Sequence, residues 1–476
     1  MSKKPAFLVA GTHSGVGKTT VSFTLMALLK QRGFAVQPFK IGPDFIDGGY
    51  HCLATGRDSI NLDLWMMGWK GVEESFQEYS RKAEVSVLEG MGALFDGKNG
   101  TMSGSSAEIA RRLGVPVLLV VDIWGMTVTT GAVIEGLLNF DPRVKIAGIL
   151  LNRAGSRGHF EMVMKSLKSS LRKKVVGYLP YSGNYAIPER HLGLKTLEEN
   201  DKAQRVKAAL VVAAEQTVDL TKLSRLLGFK KVSKTTKVSL SLMSSPQVRI
   251  GVAKDAAFCF YYAENLKMLE QAGARLIAFS PLKDKRLPKV DGLYLGGGYP
   301  ESFPKELAAN QSLRREIFQK VKEGLPVYAE CGGLMYLSES LADFDGKGYP
   351  MVSALSLKVC MERNHLTIRY VEAKTMLDTL LGPKGTVVRG HEFHHSRITS
   401  SRYQGPWVYQ AVTSTQKKFK EGFQVSNLLA SYIHLHFRSN PSVPRAFVSE
   451  CLNYKKLSPP EMTGTSSLTS RKHKSI

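Results

Sequence analysis

Two short stretches carry residue types that do chemistry. The first is GTHSGVGKTT, residues 11–20. It follows the apolar run Ala6–Ala10 and opens a segment with helical patterning, TTVSFTLMALLKQRG. Strand, glycine loop and helix in that order aim backbone amides and a helix N-terminus at one point, which favours an anion. Gly11, Thr12, Gly15, Val16, Gly17, Lys18, Thr19 and Thr20 are therefore the candidate nucleotide-binding residues. Lys18 supplies a point charge for terminal phosphates. The Thr19 hydroxyl suits Mg²⁺, a hard cation that takes oxygen. The spacing departs from the standard phosphate loop in one respect. The motif's first glycine falls on Thr12, and Gly11 stands one residue earlier.

The second stretch is LPVYAECGGLMYLSESL, residues 325–341. An apolar strand meets Glu330-Cys331-Gly332-Gly333 and a helical segment follows, the layout of a nucleophile elbow with cysteine in place of serine. A lone cysteine is most often a small core residue; this setting selects the catalytic reading. A thiol at a helix N-terminus is expected to have a lowered pKa. Gly297 and Gly298, in DGLYLGGGYPE, or the amide after the cysteine, are the candidate oxyanion donors.

A thiol nucleophile needs a base. RGHEFHHS (389–396) and SYIHLHF (431–437) offer imidazoles. His434, after the strand-like LLASYI, is the chosen base; His391, His394 and His395 compete. His436 shares strand parity with His434, so the two are expected on one face. The histidine cluster as a zinc site lacks a cysteine pattern.

Acidic and amide side chains gather at the ends of the N-terminal strands. FKIGPDFIDGGYH breaks at Gly42-Pro43 and places Asp44 and Asp47 in a loop. Carboxylates there can hold Mg²⁺ or grip a substrate; the bland reading is ordinary acidic turn residues. LEGMGALFDG puts Glu89 at a strand end and Asp96 in a turn, and ILLNRAG puts Asn152 where an amide reads an adenine edge.

The elements that must position these groups follow from apolar runs. Ala6–Ala10, Ala35–Phe39, Val85–Leu88, Val117–Val121, Ile146–Leu151 and Val176–Leu179 alternate with helical segments, which predicts a doubly wound, mostly parallel sheet. Ligands then gather beyond the carboxyl ends of its strands. A second α/β pattern starts at Arg249. The expected organisation is an ATP-binding unit over 1–215, a Ser/Thr/Lys-rich linker over 216–247 and a second unit over 248–456. PERHLGL, residues 188–194, reads as a loop, and 457–476 as a disordered tail.

Composition agrees. A chain of 476 residues exceeds one core, and 43% hydrophobic with 22% charged residues is ordinary for a globular protein. The five cysteines, at 52, 259, 331, 360 and 451, show no paired spacing, which argues against a disulfide scaffold and fits a reducing cytoplasm. Lys3 and Lys4 precede an apolar run that leads straight into the glycine loop, not a signal peptide. No uninterrupted apolar stretch reaches about 18 residues, so no membrane span is expected. The net charge of +24 is spread along the chain without a recognition helix or aromatic RNA motif. It reads first as a solvated surface and second as attraction for polyanionic substrates, with no nucleic-acid partner.

Together these residues resemble the cobyrinate a,c-diamide synthase family. The matching pieces are GTHSGVGKTT, FKIGPDFID, LDLW, EGMGALFDG, LNRAG, YLGGGYPE, YAECGGLMYL, RGHEFHHS and SYIHLHF, in the family's order. The resemblance implies a P-loop NTPase-like domain, similar to dethiobiotin synthetase, fused to a class I glutamine amidotransferase-like, flavodoxin-like domain. It implies a cytoplasmic ligase in which Cys331 and His434 release ammonia from L-glutamine. ATP and Mg²⁺ then phosphorylate acetate carboxylates of cobyrinate, with Thr19 and Glu89 on the metal side and Asp44, Asp47 and Asp96 around substrate. Nickel-sirohydrochlorin is the alternative acceptor. A P-loop regulatory or partition ATPase with a vestigial second domain is the alternative of another class. A homodimer is compatible with the sequence. Many class I amidotransferases carry Glu two residues after the catalytic histidine; that position here is His436. If surface charge steers a polyanionic acceptor, added salt lowers the apparent second-order rate; a rate indifferent to salt excludes steering.

Overall fold

The apolar runs of the first unit form the strands expected of them. The structure, a computed structural model, describes residues 5–185, 202–231 and 246–457, with backbone alone at 189–190 and 193–194. Strands β1 (Ala6–Gly11), β2 (Val36–Ile41), β3 (Ile60–Leu62), β4 (Val85–Glu89), β5 (Val117–Asp122), β6 (Ile146–Ala154) and β7 (Val175–Pro180) make one sheet in the order β3-β2-β4-β1-β5-β6-β7. Every pairing is parallel. β1 is buried along its whole length, which is why it reads as an unbroken apolar run rather than an alternating one. Its neighbours are β4 on one side and β5 on the other, so the connections diverge at its carboxyl end and leave a crevice there. The glycine loop fills that crevice. The strand missed by sequence reading is β3, whose three residues are too few to show a period.

Helix α1 (Lys18–Gln31) starts directly after Gly17 and has no side-chain cap. Its first amides therefore stay available to a ligand. It is buried from Val21 to Leu29, between the sheet and helices α2 (Ile46–Thr55) and 203–217.

The linker expected over 216–247 begins later than that. Residues 203–217 and 220–227 are helices, and Asp219 caps the second by accepting from the Lys222 amide at 2.8 Å. Leu223, Leu227 and Phe229 are buried, and the Phe229 ring stacks 5.6 Å from Phe7 of β1. A few apolar side chains at helical spacing outweigh the surrounding polarity. The first unit thus reaches 231; residues 232–245 lie outside the described residues, as does 458–476 of the expected tail. Within the expected loop 188–194, the backbone of Glu189–Arg190 pairs antiparallel with Gly193–Leu194.

In the second unit, strands 248–253, 274–279, 292–295, 327–330 and 428–431 form the parallel part of a second sheet. Their spatial order is second, first, third, fourth, fifth, the flavodoxin-like arrangement. An antiparallel sheet inserted between the fourth and fifth contains strand 387–394, which pairs with 434–435 so that His391 faces His434 in register.

The two units meet along helix α3 (Leu64–Ser80). Ser75 donates to Glu264 at 2.6 Å, and Tyr370 donates to Asp63 at 2.6 Å. Arg438 bridges the joint, donating to Glu264 at 2.9 Å and to Glu78 at 3.1 Å. Glu264 is 1% exposed. Arg438→Ala leaves that carboxylate buried without its cation and should cost about 3 kcal/mol in urea unfolding. Arg157→Ala removes an exposed pair with Glu161 and should leave the midpoint unchanged.

Candidate active site

The phosphate loop is held from behind by β6. Gly15 and Gly17 take φ of 81° and 91°, left-handed values that glycine adopts without strain. A Cβ on Gly17 would lie 2.3 Å from Asn152 Nδ2, and one on Gly11 would lie 2.2 Å from Val16 Cγ1. Asn152 Nδ2 donates to the Val16 carbonyl at 2.8 Å. The amide expected to read an adenine edge is thus committed to the loop itself, because the end of β6 lies directly beneath it. Arg153, which sequence reading passed over, donates to the Gly15 carbonyl at 2.9 Å and to Asp122 at 2.7 Å. Gly15, Gly17, Lys18, Thr19 and Thr20 line a cavity of about 690 Å³, as does Asn152. Gly11, Thr12 and Val16 are not among its lining residues; they shape the loop, with Thr12 bonded to the His13 ring at 2.8 Å.

Beneath the loop lies a buried ionic cluster. Glu89, fully buried, accepts from Thr19 Oγ1 at 2.8 Å and from Lys40 Nζ at 2.9 Å, and its second oxygen lies 2.7 Å from His51 Nε2. Lys40 also lies 2.5 Å from Asp47. Burial opposes the charge on Lys40, but Asp47 and Glu89 outweigh it and raise its pKa above the ordinary lysine value. Burial likewise opposes ionisation of Glu89, yet Lys40 and then His51 hold it well below the usual carboxylate range. Lys18 is lowered by burial and by neighbouring Lys40. The oxygens of Thr19 and Glu89 touch, and Asp44 and Asp47 line the same cavity. The Thr19 hydroxyl and the Glu89 carboxylate at the phosphate loop are oxygen donors of the kind Mg²⁺ takes, with Glu89 also engaged by Lys40 and His51. Asp96 does not join it: its side chain is exposed and outside the cavity lining, because the turn after Leu94 carries it outward. Lys40 and His51 were missed, although a lysine between Phe39 and Ile41 near the end of β2 was a signal.

The same cavity is closed by the second unit through Phe260, Ile368, His391 and Phe393. Phe45, between Asp44 and Asp47, is the contact. Its ring centroid lies 5.1 Å from Phe260, 4.6 Å from Tyr262 and 5.2 Å from His434.

The thiol sits at a sharp turn. Cys331 has φ 45° and ψ −98°, an uncommon backbone for a residue with a side chain, of the kind that persists where the surroundings over-determine it. Its amide donates to the Ser431 carbonyl at 2.8 Å. A Cβ on Gly332 would lie 3.1 Å from the Gly298 amide nitrogen. His434 packs on the other side of that shelf; a Cβ on Gly297 would lie 2.3 Å from its Cε1. Gly297 and Gly298 therefore pass close to both the elbow and the imidazole, where neither position has room for a side chain. His394 and His395 are turned to the carbonyls of Ser396 and His365. His391 Nδ1 lies 2.9 Å from Tyr262 Oη, and its ring stacks 5.1 Å from His434. His436 is set against Tyr262, at 4.6 Å between centroids.

The expected lowering of the Cys331 pKa is reversed. Burial pushes the thiol up, and Glu301 adds to it; a helix of six residues does not offset that desolvation. His434 moves the opposite way, well below its ordinary value, through burial and then His391 and His394. Both shifts favour the neutral forms of the thiol and the imidazole. Gly297→Ala should displace the imidazole and cut glutamine-dependent turnover by about 100-fold, while turnover with free ammonia stays unchanged; steady-state kinetics with each nitrogen source checks this.

Residues 7–194 match the family described as the CobQ/CobB/MinD/ParA nucleotide binding domain, and 249–442 match the CobB/CobQ-like glutamine amidotransferase domain. The chain is similar over nearly its whole length to proteins named cobyrinate a,c-diamide synthase. The one from Caldanaerobacter subterraneus subsp. tengcongensis is 40% identical over 449 residues, covering 94% of this chain and 98% of the relative. That of Synechococcus sp. is 42% identical over 459 residues, covering 95% and 100%. That of Picrophilus torridus is 40% identical over 453 residues, covering 94% and 99%. With a phosphate loop and a cysteine elbow carried in the same order through both units, the chain belongs to the cobyrinate a,c-diamide synthase family.

Proposed function

We propose that this protein is a cytoplasmic, ATP-dependent ligase that takes nitrogen from L-glutamine and amidates the a- and c-acetate carboxylates of cobyrinate. The observation that carries the reading is the junction at Phe45. Its ring touches His434 at the thiol site, and it stands at the start of α2 between Asp44 and Asp47, which line the phosphate-loop cavity. Two half-reactions that share an unstable intermediate need such proximity.

At the second unit, Cys331 Sγ bonds to the carboxamide carbon of glutamine while His434 takes the thiol proton. Gly297 and Gly298 amides face the oxyanion. The C–N bond breaks, His434 returns the proton to the leaving nitrogen, and ammonia departs from a glutamyl thioester that water hydrolyses. At the first unit, a substrate carboxylate oxygen attacks the γ-phosphorus of ATP, and ADP leaves. Gly15, Gly17 and Lys18 hold the phosphates, and Thr19 and Glu89 would hold Mg²⁺, which neutralises phosphate charge when bound. Asp44 and Asp47 are assigned to orienting the acceptor. A carboxylate is a poor acyl donor; its acyl phosphate has a leaving group, and ammonia displaces phosphate to give the amide.

Cys331→Ala should abolish glutamine use and keep amidation from ammonium salts, whereas Lys18→Ala should lose amidation from both. Cobyrinate and nickel-sirohydrochlorin offered side by side to the wild type test the acceptor, with the corrinoid expected to turn over faster. A cysteine variant that still uses glutamine would overturn the nucleophile, and faster turnover of the nickel compound would overturn the substrate.

A further inference from the structure

One buried carboxylate beside the thiol has no part in the chemistry above. Glu330 ends strand 327–330, one residue before Cys331, and is 1% exposed. Its Oε1 accepts from Tyr328 Oη at 2.6 Å and from the Leu435 amide at 3.0 Å; its Oε2 accepts from Tyr294 Oη at 2.9 Å. The carboxylate therefore ties the strand that presents the thiol to the residue after His434. Oε2 lies 3.9 Å from His434 Nδ1. That nitrogen is buried and has no hydrogen-bond partner among the described residues. His436 stands where many class I amidotransferases carry Glu. Its Nε2 lies 4.0 Å from Glu264, at the joint between the units.

We propose that Glu330 is the positioning carboxylate for His434. A small closure of the 3.9 Å gap lets Nδ1–H donate to Oε2. That bond selects the tautomer with Nε2 unprotonated for the Cys331 thiol and stabilises the imidazolium formed when the thiol proton moves. The carboxylate would then come from the residue preceding the nucleophile rather than from the segment after the base. Tyr294, Tyr328 and the Leu435 amide fix its orientation. The other titratable groups facing His434 are His391 and His394, neither an anion. Those acting on Glu330 are Tyr294 and Tyr328, and burial places its pKa at about 7. The inference rests on the Cys331–His434 reading proposed above.

Glu330→Gln keeps the shape and removes the charge. Its glutamine-dependent kcat should fall about 100-fold or more, with KM for glutamine changed less than about threefold, while turnover with ammonia is unchanged. The acid limb of the kcat–pH profile should move down by about one pH unit, because a carboxylate raises the pKa of the imidazole it faces. Glu330→Gln in a His434→Ala background should add no further loss. Nitrogen-15 shifts of His434 in the wild type, assigned by difference with His434→Ala, should report an Nδ1–H tautomer, a readout independent of whether the glutamine variant folds. A kcat within threefold of wild type, an unmoved acid limb, an additive loss in the double variant, or an Nε2–H tautomer would each overturn the proposal. Cys331→Ala behaving as expected alongside any of these confines the failure to Glu330.

Discussion

An ammonium and two carboxylates sealed beneath the phosphate loop set the geometry of the first unit. Lys40 comes from β2, Glu89 from β4, Asp47 and His51 from α2, and Thr19 from the start of α1. Burying these charges gives little net stability, since desolvation offsets their attraction. What it imposes is register. Each strand end and helix start must arrive at the same point, or a charge is left without a partner. The loop's own glycines then need only bend, with Asn152 and Arg153 supporting its carbonyls from behind.

The second unit depends on that arrangement through Phe45. Asp47, in the first turn of α2, is anchored by the cluster, and Phe45, just before that helix, packs on Phe260, Tyr262 and His434. A displacement of the two aspartates has a short physical route to the imidazole through Phe45. Helix α3 fixes the remaining degrees of freedom, since Ser75, Glu78 and Asp63 all bond across the joint. The thiol site is likewise built from distant segments: strands 292–295, 327–330 and 428–431 supply the shelf, the elbow and the approach to the base.

Local chemistry was legible in the sequence, and collective chemistry was not. The phosphate loop and the cysteine elbow announce themselves because strand, glycine and helix are contiguous. His434 was separable from its competitors only through its apolar lead-in; in the fold it pairs in register with one of them, His391. Lys40, Phe45 and Glu330 owe their surroundings to contacts far away in the chain, so their types alone said little. The thiol was misjudged for the same reason: a helix N-terminus is visible in a sequence, but the burial that outweighs it is not. Asp96 lay in a turn beyond a strand and Asn152 at a strand end, yet one side chain turns to solvent and the other to the loop behind it. The linker was drawn too long because Leu223, Leu227 and Phe229 are few among many polar neighbours.

The burial of Cys331 has a consequence for the resting protein. Alkylating agents and peroxides react with thiolates, and a sulfhydryl whose pKa burial raises, and which is 5% exposed, offers them little. The chain therefore carries this thiol in a chemically quiet state, set by its burial rather than by the helix that begins after it.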